Sequence, residues 1–200
     1  NQGQICSKPI RYFVSRDIAD RFIESFVQEV GNWIPDGDPA ETSTTVGGMI
    51  TELAADLLCE GIEEQAAGKS DLSMLTGEPM RAFGTGVCPN VLLQTGSFDL
   101  FSNQEVFGPV AIISVYNEIS EPLEYMKRSK YALENGIFSN KVDEVRLFIQ
   151  ASPSGLCSIN TWGTSPVGFP FGGNRQSGHG PEKCVDTLKW FMTEKYIHVG

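Results

Sequence analysis

The sequence has few of the features that mark membrane or nucleic-acid-binding proteins. Its longest apolar runs, such as residues 110–115, are far shorter than the roughly 20 residues that span a bilayer. It has 15 Lys and Arg against 25 Asp and Glu, and the net charge of -10 opposes binding to phosphate backbones and anionic membranes. No basic segment followed by an apolar run opens the chain. We therefore expect a soluble protein with neither membrane nor nucleic acid as a partner.

The sequence also lacks paired cysteines. Its cysteine total of 5 is odd, none forms a Cys-x-x-Cys pair, and only 2 histidines are present, so neither a disulfide framework nor a metal site is indicated. Reduced thiols in the cytoplasm are the simpler interpretation. The cysteines other than Cys6 that we interpret as inert, buried thiols are Cys59, Cys157 and Cys184.

What the sequence does contain is an alternation of strand and helix patterns. The 200 residues suffice for a single domain that buries roughly 70% of its unfolded surface. Apolar spacings of three and four predict helices, and short β-branched runs predict strands. The predicted helices are 17–30, 51–67, 121–129, 142–151 and 182–192; the predicted strands are 11–15, 72–75, 91–93, 110–115, 136–139 and 156–160. The apolar stripe predicted for the first helix comprises Ile18, Phe22, Ile23, Phe26, Val27 and Val30. Thr51 is the predicted N-cap of the second helix, whose predicted apolar side comprises Leu53, Ala54, Leu57, Leu58, Ile62 and Ala66. This order predicts an α/β fold, with a mainly parallel sheet covered by helices on both faces.

Ligands of open parallel sheets collect at the C-terminal ends of the strands, so chemistry is expected in the loops. Three segments qualify. The first contains Cys6, the second is the run 104–109, and the third follows Asn160 and extends through the Gly/Pro/Ser-rich stretch 161–180.

These segments resemble three motifs of the aldehyde dehydrogenase superfamily. Gly-Gln-Ile-Cys at 3–6 is similar to the Gly-Gln-x-Cys nucleophile motif, and Glu-Val-Phe-Gly-Pro-Val at 105–110 to a Glu-x-Phe-Gly-Pro-Val motif. Pro-Phe-Gly-Gly at 170–173, followed by Ser-Gly at 177–178, is similar to a third. The resemblance extends over nearly the whole chain and implies a three-layer αβα domain of the family's catalytic type.

By that resemblance Cys6 is a catalytic nucleophile. Its thiolate would attack an aldehyde carbon, the thiohemiacetal would pass a hydride to NAD or NADP, and water would release a carboxylic acid from the thioester. A thiol with an ordinary pKa near about 8.5 is only slightly ionised at neutral pH, so a base or a positive field must help.

The resemblance also implies roles for other side chains. Glu105 would accept hydrogen bonds from the cofactor ribose, and Phe107 would pack beside the nicotinamide. Their alternatives are a solvated carboxylate and a core phenylalanine. Asn160 would lie near the thiol, or would be a turn residue bonding its own backbone. The residues at substrate-contacting positions, for which plain packing is the alternative, are Ile5, Ser7, Trp162, Phe169 and Phe171.

Lys8 departs from the family pattern, which has a small residue two positions after the nucleophile. A cation there would lower the pKa of Cys6 if it pointed inward and would do little if it pointed to water. The family's cofactor domain, general-base glutamate and oxyanion asparagine precede the cysteine motif, and nothing in this chain supplies them. We therefore expect residues 1–200 to be the catalytic domain of a longer NAD(P)-dependent enzyme and inactive as a dehydrogenase alone.

Two other functions remain open at this stage. A thiol esterase or acyl-transfer domain would need no cofactor. A non-catalytic assembly module is the other possibility, because residues 195–200 resemble an edge strand that pairs across subunits in the family. By the resemblance, the full-length protein is expected to be a homodimer or homotetramer that acts on a small aldehyde.

Overall fold

The computed structural model describes residues 1–76, 80–163 and 166–200. This part of the chain divides into two compact units, Asn1–Pro122 and Leu123–Gly200. The interpretation of residues 1–200 as one catalytic domain stays a prediction. Part of the stretch 161–180 lies outside the described residues.

A four-stranded sheet forms the centre of the first unit. Its strands are β1 (Arg11–Ser15), β2 (Leu72–Met74), β5 (Asn90–Gln94) and β6 (Val110–Tyr116), in the order β1-β6-β5-β2. The pairs β1–β6 and β5–β6 are parallel, whereas β2 joins the edge antiparallel to β5. The strand predicted from the apolar run 110–115 is therefore an interior strand of a mainly parallel sheet, and the predicted α/β fold is confirmed.

One helix covers each face of this sheet. Alternate residues of β5 and β6 point to opposite faces, as the pleat requires. Leu92 and Ile112 pack with α2 (Glu52–Ala66), while Val91 and Ile113 pack with α1 (Ala19–Val30). Helix α1 contributes most of the apolar stripe that the sequence predicts, namely Phe22, Ile23, Phe26, Val27 and Val30. Ile18, which was predicted to share this stripe, precedes the helix and is 45% exposed. The three-layer αβα arrangement is thus present within the first unit.

Helix α2 begins where the sequence predicts but buries a narrower face. The Thr51 hydroxyl accepts a hydrogen bond from Ala54 N (3.1 Å), so Thr51 is the N-cap. Ala55, Leu58 and Ile62 are buried in the helix. The prediction that Leu53 and Leu57 share the buried side is wrong, since their exposed fractions are 66% and 59%. Two apolar stripes exist on this helix, and only one of them meets the sheet.

The second unit is built from shorter elements. Strands β8 (Glu134–Ile137) and β9 (Leu156–Ile159) pair in parallel and flank α4 (Val142–Ala151), whose Phe148 is buried. The predicted helix 121–129 is α3 (Ser120–Arg128), which spans the boundary between the units. The last helix, α5 (Val185–Lys189), is shorter than predicted. Residues 195–200 are exposed and belong to no strand of the described chain, so their assembly role stays a prediction.

Four short strands were not predicted, because elements of two or three residues show no period and these four lack the apolar run that marks β2. They are β3 (Arg81–Phe83), β4 (Gly86–Val87), β7 (Tyr131–Ala132) and β10 (Asn174–Arg175). The first two form a hairpin, and the last two pair antiparallel with each other.

Candidate active site

The loop that carries Cys6 is a pair of tight turns just upstream of β1. Gln4 N donates to Asn1 O (3.0 Å), and Lys8 N donates to Ile5 O (3.2 Å), which leaves Cys6 and Ser7 at the corner of the second turn. The Cys6 side chain is exposed, as is that of Ile5, whereas Ser7 is half-buried. The nucleophile candidate is therefore accessible to a substrate.

Local contacts explain two of the residues in the Gly-Gln-x-Cys segment, Gly3 and Gln4. Gly3 has a φ of +66°, and a Cβ atom there would lie 2.2 Å from Gly108 O, so only glycine fits. The Gln4 side chain accepts a hydrogen bond from Ile50 N (2.9 Å), immediately before the N-cap of α2. These contacts hold the cysteine loop between α2 and the chain that leads into β6.

The segment 105–109 exposes both of its candidate cofactor residues. Val106 is half-buried and packs against the core cluster that includes Leu58 and Ile112. Glu105 and Phe107, its neighbours on either side, are both exposed, and the exposed fraction of Phe107 is 44%. Phe107 is therefore not a core phenylalanine, which was the alternative interpretation. An exposed carboxylate and an exposed ring two positions apart are chemically suited to a ribose and a nicotinamide.

Lys8 points inward. Its Nζ donates to Gly108 O (2.8 Å) and to Val110 O (3.1 Å), at the upstream end of β6. Burial removes the ammonium group from water and lowers the pKa of Lys8 to about 8. The sequence flagged this residue but could not choose its direction.

The other thiols are in different surroundings. Cys88 is buried, and burial, followed by the nearby Cys59, raises the pKa of its thiol. Cys59 and Cys184 are half-buried. The interpretation of Cys157 as a buried thiol is wrong, because it is exposed on β9. Cys157 and Cys6 are thus the exposed cysteines, and Cys157 is a natural internal reference for Cys6.

In the second unit, Asn160 joins the ends of β8 and β9. Its Oδ1 accepts a hydrogen bond from Ser139 N (2.9 Å), and its Nδ2 donates to Ser139 O (3.2 Å). Its φ is +54°, a left-handed conformation that asparagine tolerates better than most residues. The amide therefore bonds the main chain of the neighbouring strand end, not that of its own turn.

The aromatic candidates of the second unit differ in exposure. Phe169 is exposed, with a fraction of 66%. Trp162 is half-buried, and a Cβ on Gly136 would lie 2.8 Å from its ring. Phe171 is half-buried, exchanges main-chain hydrogen bonds with Glu182 (3.0 and 2.7 Å), and has Lys183 Nζ 4.9 Å from its ring centroid. Phe169 is the most accessible of the three.

Glycines hold the Pro-Phe-Gly-Gly segment in place. A Cβ on Gly155 would lie 1.8 Å from Gly172 O, and a Cβ on Gly172 would lie 2.9 Å from Gly180 O. The main chain here is packed too closely for side chains, which explains why the motif needs glycine.

Neither a metal site nor a membrane segment is found within the part of the chain that the structure describes. Its His, Cys, Asp and Glu side chains form no group of three or more that could hold a metal ion. Every helix among residues 1–76, 80–163 and 166–200 is too short or too polar to span a bilayer.

The αβα layers, together with an exposed thiol and an exposed carboxylate on adjoining loops, define an α/β domain with a candidate cysteine nucleophile. The model of the aldehyde dehydrogenase family matches residues 1–197, and the chain belongs to that family. The motif-based resemblance is therefore confirmed at the level of the family.

Individual relatives agree with this assignment. The betaine aldehyde dehydrogenase of Sinorhizobium fredii is 30% identical over 99% of this chain and 41% of its own length. Among solved structures, succinic semialdehyde dehydrogenase from Streptococcus pyogenes in complex with NADP+ has a TM-score of 0.86 at 26% identity, covering 99% of this chain and 43% of its own. Succinate-semialdehyde dehydrogenase from Burkholderia pseudomallei has a TM-score of 0.83 at 27% identity, covering 94% and 39%. The chain thus spans about two fifths of these relatives.

Proposed function

We propose that this chain is the catalytic portion of a longer NAD(P)+-dependent dehydrogenase that oxidises a small aldehyde to a carboxylic acid. The observation that carries the proposal is the exposure of Cys6 and of Glu105 and Phe107 on two loops that touch where Gly3 meets Gly108. A nucleophile and a cofactor-binding pair on adjoining loops suit a reaction that joins thiol addition to hydride transfer.

Cys6 begins the reaction. Its Sγ bonds to the aldehyde carbon, and the carbonyl oxygen becomes the oxygen of a thiohemiacetal. Loss of a hydride from that carbon, together with the proton that the thiol gave to the oxygen, would leave a thioester on Cys6. Water would then cleave the carbon–sulfur bond, its oxygen passing to the acid and one of its protons returning to the thiol. Bound NAD+ or NADP+ supplies the hydride acceptor.

The residues present fit such a cofactor only in part. Glu105 offers carboxylate oxygens to a ribose, and Phe107 offers a ring face; both are exposed. The chain spans about two fifths of its relatives, with 41% of the first of them covered. We therefore propose that most of the cofactor site lies elsewhere in the parent protein and that residues 1–200 alone do not transfer hydride.

In the first unit, Ile5 and Ser7 are proposed to contact the organic group of the aldehyde. In the second unit, considered by itself, the candidate substrate-binding side chains are Trp162, Phe169 and Phe171. Ile5 and Phe169 are the strongest candidates, because their exposed fractions are 54% and 66%. Asn160 is proposed to act indirectly, since both polar atoms of its amide already bond Ser139.

The parent protein is proposed to be a cytoplasmic homodimer or homotetramer. All 5 cysteines are free, which suits a reducing compartment. Tyr196, Ile197 and Val199 are 88%, 72% and 85% exposed, so the segment 195–200 has apolar surface to offer a second copy.

Alkylation tests the nucleophile. In the natural protein that carries this chain, iodoacetamide near about pH 7 should label Cys6 at least about tenfold faster than Cys157, which is also exposed, as measured on each peptide by mass spectrometry. Equal rates at the two cysteines would contradict a chemical role for Cys6. Cys6→Ala should lower aldehyde oxidation by about a thousandfold or more, while Cys157→Ala should leave it unchanged.

A second function, cofactor-free thiol esterase activity, is favoured by the same exposed thiol. It is distinguished by hydrolysis of an activated ester by the 200-residue chain, which would need Cys6 but no NAD(P)+. Hydride transfer by the 200-residue chain would contradict the proposal that the dehydrogenase is incomplete without further sequence.

A further inference from the structure

Lys8 forms a bridge between the two loops of the proposed site. It lies two residues after Cys6, and its Nζ reaches the carbonyl oxygens on either side of Pro109, at 2.8 Å for Gly108 and 3.1 Å for Val110. Strand pairing between β1 and β6 begins only at Arg11 and Ile112. The Lys8 side chain therefore links the two segments upstream of the first residue pair that the β1–β6 pairing joins.

The stem of Lys8 takes part in the same contact. A Cβ on Gly3 would lie 2.7 Å from Lys8 Cδ and 2.2 Å from Gly108 O. Gly3, Lys8 and Gly108 thus meet at one crossing, with the cysteine loop on one side and the segment 105–109 on the other. A lysine stem at this crossing fills space, and its end group supplies the hydrogen bonds.

The surroundings of Lys8 indicate that it acts through hydrogen bonds and not through an ion pair. Among the described residues, no carboxylate lies within ion-pair distance of its Nζ. An ammonium group has three donors and a neutral amine has two, so either form can satisfy both carbonyls. The bridge therefore does not depend on the charge of Lys8, although burial makes the charged form less favourable.

We propose that Lys8 is a positioning residue. It fixes the Cys6 loop against the segment 105–109 and so keeps the thiol at a constant position relative to Glu105 and Phe107. The proposal rests on the proposed function of Cys6 and Glu105. Small displacements of reacting groups lower rates steeply, by as much as about a hundredfold for 1 Å, so a fixed crossing at this point matters for catalysis.

The experiment compares Lys8→Met, which keeps the length of the stem but has no donor, with Lys8→Arg, which keeps several donors. Lys127→Met is the matched control, because Lys127 is 50% exposed and pairs only at the surface with Glu124. Each variant is made in the natural protein that carries this chain. Hydrogen exchange of the peptides covering 1–10 and 103–110 is measured together with kcat and KM for an aldehyde.

For Lys8→Met we expect both peptides to exchange about tenfold faster, and kcat to fall about tenfold, with KM for the aldehyde within about twofold. In Lys8→Arg, the exchange rates of both peptides and kcat should stay within about threefold of the wild-type values. Lys127→Met should change none of these. If Lys8→Met does not fold, Lys8→Gln replaces it, because its shorter amide cannot reach both carbonyls.

Unchanged exchange in either peptide, or an unchanged kcat in a folded Lys8→Met, would overturn the bridge. So would faster exchange spread evenly over the whole protein, since that indicates global destabilisation. Failure of the proposed function looks different: Cys6→Ala would then keep its activity, whatever happens at Lys8.

Discussion

Leu58 occupies the space that a side chain on Gly108 would need, since a Cβ atom there would lie 2.2 Å from Leu58 Cδ2. Gly108 also has a φ of +152°. Gly108→Ala should therefore lower the free energy of unfolding by about 2–4 kcal/mol, through overpacking and backbone strain together. Denaturant unfolding measures the loss. Gly96→Ala is the control, because Gly96 also has a positive φ (+89°) but nothing within 4 Å of a Cβ; it should cost only about 1 kcal/mol. Equal losses would show that Leu58 does not resist the methyl group.

The pKa of Lys8 predicts a dependence of stability on pH. Its ordinary value of 10.5 applies to the unfolded chain, and burial lowers the folded value to about 8. Between these values the unfolded chain holds the proton that the folded chain has lost, so stability rises with pH. Relative to Lys8→Met, the wild type should gain roughly 2–3 kcal/mol as the pH increases from about 8 to about 10.5, and should gain nothing below about 8. A constant difference between the two proteins across this range would show that Lys8 titrates normally.

Asn160, which bonds Ser139 where β8 and β9 end, should contribute more to the free energy of unfolding than the exposed Asn140. Asn160→Ala removes two hydrogen bonds to Ser139 and puts alanine, which tolerates the left-handed region less well than asparagine, at a φ of +54°, so we expect a loss of about 2–3 kcal/mol. Asn160→Gly removes the bonds without the strain and should cost less, about 1–2 kcal/mol. Both are measured by denaturant unfolding and by exchange of the Ser139 amide. The exposed Asn140 provides the control, and Asn140→Ala should stay within about 0.5 kcal/mol of the wild type.

Glu105→Gln tests the proposed cofactor contact in the natural protein. Replacing a charged acceptor by a neutral amide weakens hydrogen bonds to ribose hydroxyls, and we expect KM for NAD(P)+ to rise about tenfold. Glu118→Gln is a matched change at another exposed position of the same unit and should leave KM unchanged. If KM for the cofactor is the same in both variants, Glu105 does not bind the cofactor.

Local pattern was enough to predict most elements of the fold. The bounds of β1 and α4 agree with the sequence patterns at 11–15 and 142–151, and Thr51 caps α2 as predicted. In each case the signal is carried by residues close together in the chain, namely an apolar period or a cap two or three positions from its partner. The three motifs likewise identified the family, because each is a run of neighbouring residues.

Contacts between residues far apart in sequence decided the rest. Leu57 and Leu58 are equally apolar, yet only Leu58 meets the sheet, because the face of α2 is chosen by residues of β5 and β6. The inward direction of Lys8 depends on carbonyls about a hundred residues away, at Gly108 and Val110. The sequence by itself thus determined the family and Cys6 as the candidate nucleophile. Only the tertiary structure decided that the side chain of Lys8 joins the cysteine loop to the segment 105–109, since no local pattern reports which distant groups a side chain will meet.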